Sequence, residues 1–178
     1  HWRHNPKLEL WLAWCTMLTF YQLYGLVFFL LARVQPPPPP WWDPPRIVQW
    51  FNDRHYGLII GFGIIFIVTG MVAVCNALIA YSMRRMSVSP AFAYSYIAIY
   101  SLSTVPGMLL TCIALVVGAM RPDRDPELIS WLYDLAFMAF DGTMGVFLVG
   151  TSIWMVAILL DKNRVFPKWF AYLNLCNA

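Results

Sequence analysis

A chain of 178 residues is long enough for one domain, but 60% of it is hydrophobic and only 12% charged, with a mean hydropathy of +0.61, whereas soluble domains carry about 25% charged residues. That composition excludes a water-soluble globule. Seventeen per cent aromatics with nine Trp exclude a disordered chain, four Cys are too few for a disulfide scaffold, and the net charge of +3 is gathered between long apolar runs.

A hydrocarbon core of roughly 30 Å takes about 20 apolar residues to cross as a helix. Four runs meet that length, at about 8–32, 57–81, 91–120 and 129–160. The expected fold is therefore all-α and membrane-integral, a four-transmembrane-helix bundle forming one domain over 1–178. The first run is too long for the hydrophobic part of a signal peptide and has no small-residue cleavage site before Arg33, so it is expected to stay in the membrane. The chain opens on His1 rather than Met and reads as a piece of a longer polypeptide.

Between the first two runs lies QPPPPPWWDPP, Gln35 to Pro45, an outer loop over 35–45. Successive prolines cannot continue a helix and favour a stiff polyproline II spacer. Trp41 and Trp42 beside it are expected to anchor it at the membrane interface. Residues 46–56 (RIVQWFNDRHY) place Ile47, Trp50 and Phe51 at helical spacing, which predicts a short amphipathic helix on the membrane surface with Trp50 as a further anchor.

The second run contains Gly57 and Gly61 as a G-x-x-x-G pair, which lets another helix approach closely, from within this chain or from a partner. In the third run Pro106 and Gly107 follow Ser101, Ser103 and Thr104. Proline removes one helical hydrogen bond, and hydroxyls nearby can take up the freed carbonyl, as a static kink or as a hinge or ligand niche beside Tyr94, Tyr96 and Tyr100. The fourth run carries two carboxylates, Asp134 and Asp141, seven residues apart and on roughly one helical face. A charge at the bilayer centre costs about 2.5–3.5 kcal/mol on insertion scales and marks pathways, relays or paired contacts. Asp134 lies near Arg121 and Arg124. Asp141 is deeper and is expected to be held neutral in the packed bundle, to meet a partner or to serve transport, with Asn76 and Thr69 as candidate neutral neighbours.

His1, His4 and His55 all fall outside the expected hydrocarbon, leaving no imidazole at mid-depth for a haem or a metal, and Cys15, Cys75, Cys112 and Cys176 stand singly. No cofactor, metal or catalytic residue is expected. With four spans, the side bearing both termini and the second-to-third loop holds Arg3, Lys7, Arg84, Arg85, Lys162, Arg164 and Lys168, seven cations. The other side holds five, Arg33, Arg46, Arg54, Arg121 and Arg124, offset by acids. The positive-inside rule then places both termini in the cytoplasm of a bacterial inner membrane.

From Arg46 onward the chain resembles an uncharacterised family of bacterial multi-pass membrane proteins. The resemblance is carried by NDRHYG at 52–57, Arg84-Arg85-Met86, RPDRDPE at 121–127, Asp134-Leu135-Ala136, and Phe166-Pro167-Lys168-Trp169 followed by Tyr172 and Asn174. Departures are Tyr133 where the family usually has Asn, Phe137 where it has Trp, and Lys168 where it has Arg. The resemblance implies a multi-pass topology and a further C-terminal span beyond the equivalent of Asn174; the family has no established activity to carry over, so the chemistry is left open. Asp134 belongs to the matched motif, whereas Asp141 does not.

The expected function is that of a small accessory or structural subunit of a larger membrane protein complex. Candidate contacts are Asp134, Asp141, Gly57, Gly61, Pro106 and Tyr100, with Trp41, Trp42, Trp50 and Trp169 as interfacial anchors. The alternative is a carrier or binder of hydrophobic small molecules built on the kinked third span and Asp141. A membrane enzyme using Asp134 and Asp141 ranks last. Other integral membrane subunits and membrane lipids are the expected partners, with no nucleic acid.

Overall fold

The computed structural model describes residues 6–121 and 123–176. His1, Arg3 and His4 lie outside the described residues, as does the side chain of Pro106. The helices are α1 (Pro6–Gly25), α2 (Pro44–Asp53), α3 (His55–Val68), α4 (Gly70–Met83), α5 (Ala91–Ser103), α6 (Thr111–Met120), α7 (Pro126–Leu160) and α8 (Lys168–Cys176). Four stretches are long and apolar enough to cross a membrane: Trp11–Leu31, His55–Met83, Ala91–Met120 and Pro126–Leu160. The molecule is a multi-pass, all-α membrane protein. The expected runs match these four, with the fourth beginning three residues early because Asp125 caps its N-terminus, accepting from the Glu127 amide at 3.1 Å ahead of Pro126 at the first turn.

Two spans contain wider π-helical turns, Leu26–Leu31 at the end of the first and Thr104–Leu110 in the third. The second of these contains Pro106. A proline has no N–H to give, and a π turn is one way for a buried helix to absorb that gap without stopping. Of the hydroxyls before it, those of Ser101 and Ser103 bond other carbonyls than the one freed, Ser101 donating to Ile97 O at 2.7 Å and Ser103 to Tyr100 O at 2.9 Å, and the Thr104 side chain lies outside the described residues. The second span is split at Thr69, whose hydroxyl returns to Ile65 O at 2.7 Å.

The second span packs on the third through α3 and α6, and the third on the fourth through α5, α6 and α7. The first span lies along the second, with α1 against α4 and its π turn against α3. This last contact explains the G-x-x-x-G pair. A Cβ on Gly57 would strike the Leu31 carbonyl oxygen, and one on Gly61 would come within 2.8 Å of Val27 Cγ1. The pair therefore serves packing within this chain.

The end bearing residues 32–54 is closed by protein. Ile47, Trp50 and Phe51 of α2 are buried against the ends of α6 and α7, so this amphipathic helix covers the bundle with its apolar face. Trp50, expected as an interfacial anchor, is 5% exposed and belongs to the core, with its ring 5.8 Å from that of Tyr133. The correction has a simple cause: the proline loop brings α2 back over the helix ends, where protein offers the indole a closer fit than headgroups do. Trp41 at 82% exposure and Trp169 remain on the surface, and Trp42 is half-buried under the Arg46 guanidinium, 4.0 Å away.

At the opposite end Asp161, just past α7, ties two loops together. Its Oδ1 accepts from Ser87 N (2.8 Å), Ser87 Oγ (3.0 Å) and Asn163 N (3.0 Å), and Oδ2 accepts from Val165 N at 2.8 Å. Asn163 Nδ2 adds a bond to Arg85 O at 3.0 Å. α8 then folds back on α7, burying Ala171 and setting Phe166 and Phe170 edge-to-face with the Trp154 ring.

Two outcomes follow from this packing. Gly61→Ile is expected to lower stability by about 1–3 kcal/mol through overpacking, whereas Gly63→Ala, with nothing within 4 Å of the new methyl, leaves stability unchanged or raises it; thermal unfolding in detergent separates them. Burial alone pushes the Asp161 carboxyl up, but the bonds from Ser87, Val165 and Asn163 together outweigh it and hold the group below the ordinary carboxylate value of 3.8. A depressed folded value means the unfolded chain binds the proton more readily. The contribution of Asp161 is thus complete above about pH 4 and is lost as pH falls through the lowered value, and a plot of Tm against pH for Asp161→Asn should lack that acid limb.

Candidate functional site

Three places hold polar groups at membrane depth, the first two meeting at Asp141 and the third apart from both. The first is the outward face of α7. Asp134, Met138, Asp141, Gly145 and Leu148 recur at helical spacing and are all exposed, while Tyr133, Ala136, Gly150, Trp154 and Ala157 point the other way and are buried. Asp134 and Asp141 therefore share a face, as their spacing requires, but that face looks away from the bundle. Among the described residues neither carboxylate has a hydrogen-bond or ion-pair partner. Arg124 instead donates to Val117 O at 2.9 Å.

The depth of Asp141 can be read from its neighbours. Gly107 sits near the middle of the third span, and a Cβ there would lie 2.7 Å from Thr143 Oγ1. Asp141 is two residues from that level. The expectation that it is enclosed in the packed bundle is corrected accordingly: it stands on the outer surface near mid-depth. The buried side of α7 is taken by Thr143 at that level and by Ala136 and Tyr133 one to three turns before it, with Thr111 of the third span donating to Ala136 O at 3.2 Å.

The second place is a cavity of about 110 Å³ under the proline loop, with Phe28, Trp50, Tyr133 and Phe140 in its wall and Asp141 on its rim. Its roof is held by Tyr133, which donates to Pro38 O at 2.6 Å. Nothing in the sequence pairs residues 95 positions apart. The one signal it carries is a tyrosine, which needs a hydrogen-bond partner when buried, beside the motif aspartate.

The third place is larger, about 570 Å³, between α1, α4, α5, α7 and α8. Tyr96 and Tyr100 line it with ring centroids 4.5 Å apart, as do Asn76, Cys75, Thr151 and Trp154. Tyr94 does not join them, being 66% exposed on the other side of α5. Asn76, expected as a neighbour of Asp141, instead accepts from Tyr96 Oη at 3.3 Å through its Oδ1. This cavity lies nearer the α4–α5 turn. The tyrosines and the intramembrane carboxylate thus belong to separate places.

Tyr133→Phe should remove the tie to Pro38 at a cost of about 1 kcal/mol. In hydrogen-exchange mass spectrometry the loop around Trp41–Asp43 should then exchange faster while α8 is unchanged.

Comparison of the chain with protein-family models, curated proteins and solved structures finds no match.

Proposed function

We propose that this protein is a small accessory subunit of a larger membrane protein complex, in the bacterial inner membrane with both termini cytoplasmic, and that the outward face of α7 is where a partner's transmembrane helix docks. The observation that carries this reading is the exposed position of Asp141 near mid-depth. A carboxylate facing hydrocarbon costs about 2.5–3.5 kcal/mol or more. A neighbouring helix that brings a basic or hydrogen-bond-donating side chain to the same level removes that cost.

The adjacent glycines support the same reading. Gly142 and Gly145 flank Asp141, and a Cβ added at either would have nothing within 4 Å, so no neighbour in this chain needs their lack of a side chain. Each costs about 1 kcal/mol of helix propensity relative to alanine. Close approach by a partner backbone gives that cost a use. Open space also surrounds Gly25, Gly63 and Gly70, but none of them flanks a carboxylate. The charge asymmetry of the loops supports the orientation.

Native mass spectrometry of the gently solubilised complex should show this chain in fixed stoichiometry with larger membrane subunits. Asp141→Leu should weaken that association about thirtyfold or more, as loss of one member of a buried polar pair does. Gly145→Phe should do so by bulk, with the Tm of the isolated chain unchanged in both. Isolation of the unaltered protein as a lone monomer, or association indifferent to both substitutions, overturns the proposal.

A further inference from the structure

The cavity between α1, α4, α5, α7 and α8 is unrelated to the α7 docking face, and its polar inventory is incomplete. Asn76 is 8% exposed and lines it. Its Oδ1 is engaged by Tyr96, but among the described residues its amide nitrogen donates to nothing. Trp154, 7% exposed on the same wall, has an indole N–H that likewise finds no acceptor among the described residues. A buried donor left unpaired costs about 1–3 kcal/mol, and in hydrocarbon no bulk water supplies the acceptor. Both of these nine-tenths-buried residues lack an acceptor rather than a donor, so the group that the open Asn76 amide asks for is an acceptor.

Three further features describe its carrier. The volume of about 570 Å³ falls within the roughly 300–1,000 Å³ of small-molecule sites. Apolar and aromatic side chains, Phe20, Met71, Ile79, Phe147 and Phe170, form the greater part of the wall, and Thr16, Thr151 and Asn174 add polar groups to it. Met17, Tyr21 and Leu173 on its border are exposed, so it opens sideways between α1 and α8 toward the surrounding lipid. The ligand is thus an apolar body with an acceptor at one end, entering from the bilayer.

Depth then selects the acceptor. The second span runs for 29 residues, His55–Met83, about 43 Å at 1.5 Å per residue. Centred on a core of roughly 30 Å, it overhangs by about 7 Å at each end. Asn76 stands seven residues before Met83, about 10 Å from that end. Its amide therefore lies within about 4 Å of the hydrocarbon boundary, the level at which the ester carbonyls of glycerolipids meet the acyl chains.

We propose that this cavity holds an acyl chain of a membrane glycerolipid, with the ester carbonyl oxygen accepting a hydrogen bond from the Asn76 amide. Tyr96, by donating to Oδ1, turns the amide nitrogen toward the ligand. The aromatic wall of Tyr100, Phe147 and Trp154 packs along the chain. The lipid is a bound component of the fold, and the proposal does not depend on a partner at α7.

The test uses the purified, delipidated protein and two lipids with the same headgroup and chains, dioleoyl phosphatidylglycerol and its ether-linked dioleyl analogue, which lacks the carbonyls. After incubation in mixed micelles and repurification, native mass spectrometry should show the ester form retained about fivefold over the ether, the value of one net hydrogen bond. Asn76→Leu should erase that preference. Equal retention of the two forms by the unaltered protein, or retention of neither, overturns the proposal. So does a co-purified isoprenoid quinone that ester lipid cannot displace. The ester–ether comparison needs only the unaltered chain, so it decides the matter even if Asn76→Leu does not fold. Because no other subunit is present, its outcome is separate from that of the docking experiment.

Discussion

Hydrocarbon offers no hydrogen bonds, and this constraint orders the whole molecule. Hydroxyls within the spans mostly return to carbonyls of their own helix, as Thr69 does to Ile65, Ser101 to Ile97 and Thr151 to Phe147 at 2.9 Å. Others bridge helices, as Thr111 does to Ala136 and Tyr96 to Asn76. Against that background a polar group left over carries information. Two sets stand out: the carboxylates on the outward face of α7, and the Asn76 amide and Trp154 indole around the large cavity. They differ in sign and place, one set asking for a donor from outside the bundle and the other for an acceptor within it.

The two ends of the bundle are closed by different chemistry. At the proline-loop end the seal is aromatic and cationic: Trp50 and Phe51 fill the space between α6 and α7, Tyr133 holds Pro38, and Arg46 and Arg54 lie over Trp42 and Trp50 at 4.0 and 5.1 Å. At the other end the seal is one carboxylate, Asp161, collecting donors from two loops. An ionised carboxylate can accept several bonds at once, which suits a junction where short loops leave amides pointing inward. Between the ends, close helix contacts such as Gly107 against Thr143 and Gly150 against Tyr100, with 2.6 Å from a Cβ on Gly150 to Tyr100 Cε2, join the inter-helix bonds of Thr111 and Tyr96.

This division explains why the candidate sites lie where they do. Closed ends leave the lateral surface as the route by which another molecule meets the bundle. The α1 part of the first span is largely outside the core, with Trp11, Trp14, Leu18 and Tyr21 all exposed, and it forms one border of the cavity mouth, whereas Val27 and Phe28 of the π turn after it are buried in the core. The fourth span does the opposite on its two faces, supplying core residues inward and acids outward. A helix with that asymmetry packs inward within its own chain and still presents polar groups to the surrounding membrane.

The four spans, the proline loop and the presence of an amphipathic helix before the second span were legible in the sequence, because span length is set by bilayer thickness and a run of apolar residues cannot hide. So was the shared face of Asp134 and Asp141, since a helix repeats every 3.6 residues whatever surrounds it. Which way that face points was decided only by tertiary structure. In lipid both the inside and the outside of a bundle are apolar, so periodicity does not separate them, and the rotation of α7 depends on Gly107 meeting Thr143 and Gly150 meeting Tyr100. For the same reason the sequence joined Asn76 to Asp141, while the fold gave Asn76 to Tyr96, and it assigned Trp50 to the headgroups, while the fold placed it in the core. Distances along one helix follow from local geometry; partners across helices follow from how side chains of matching shape meet, and that depends on the whole set at once.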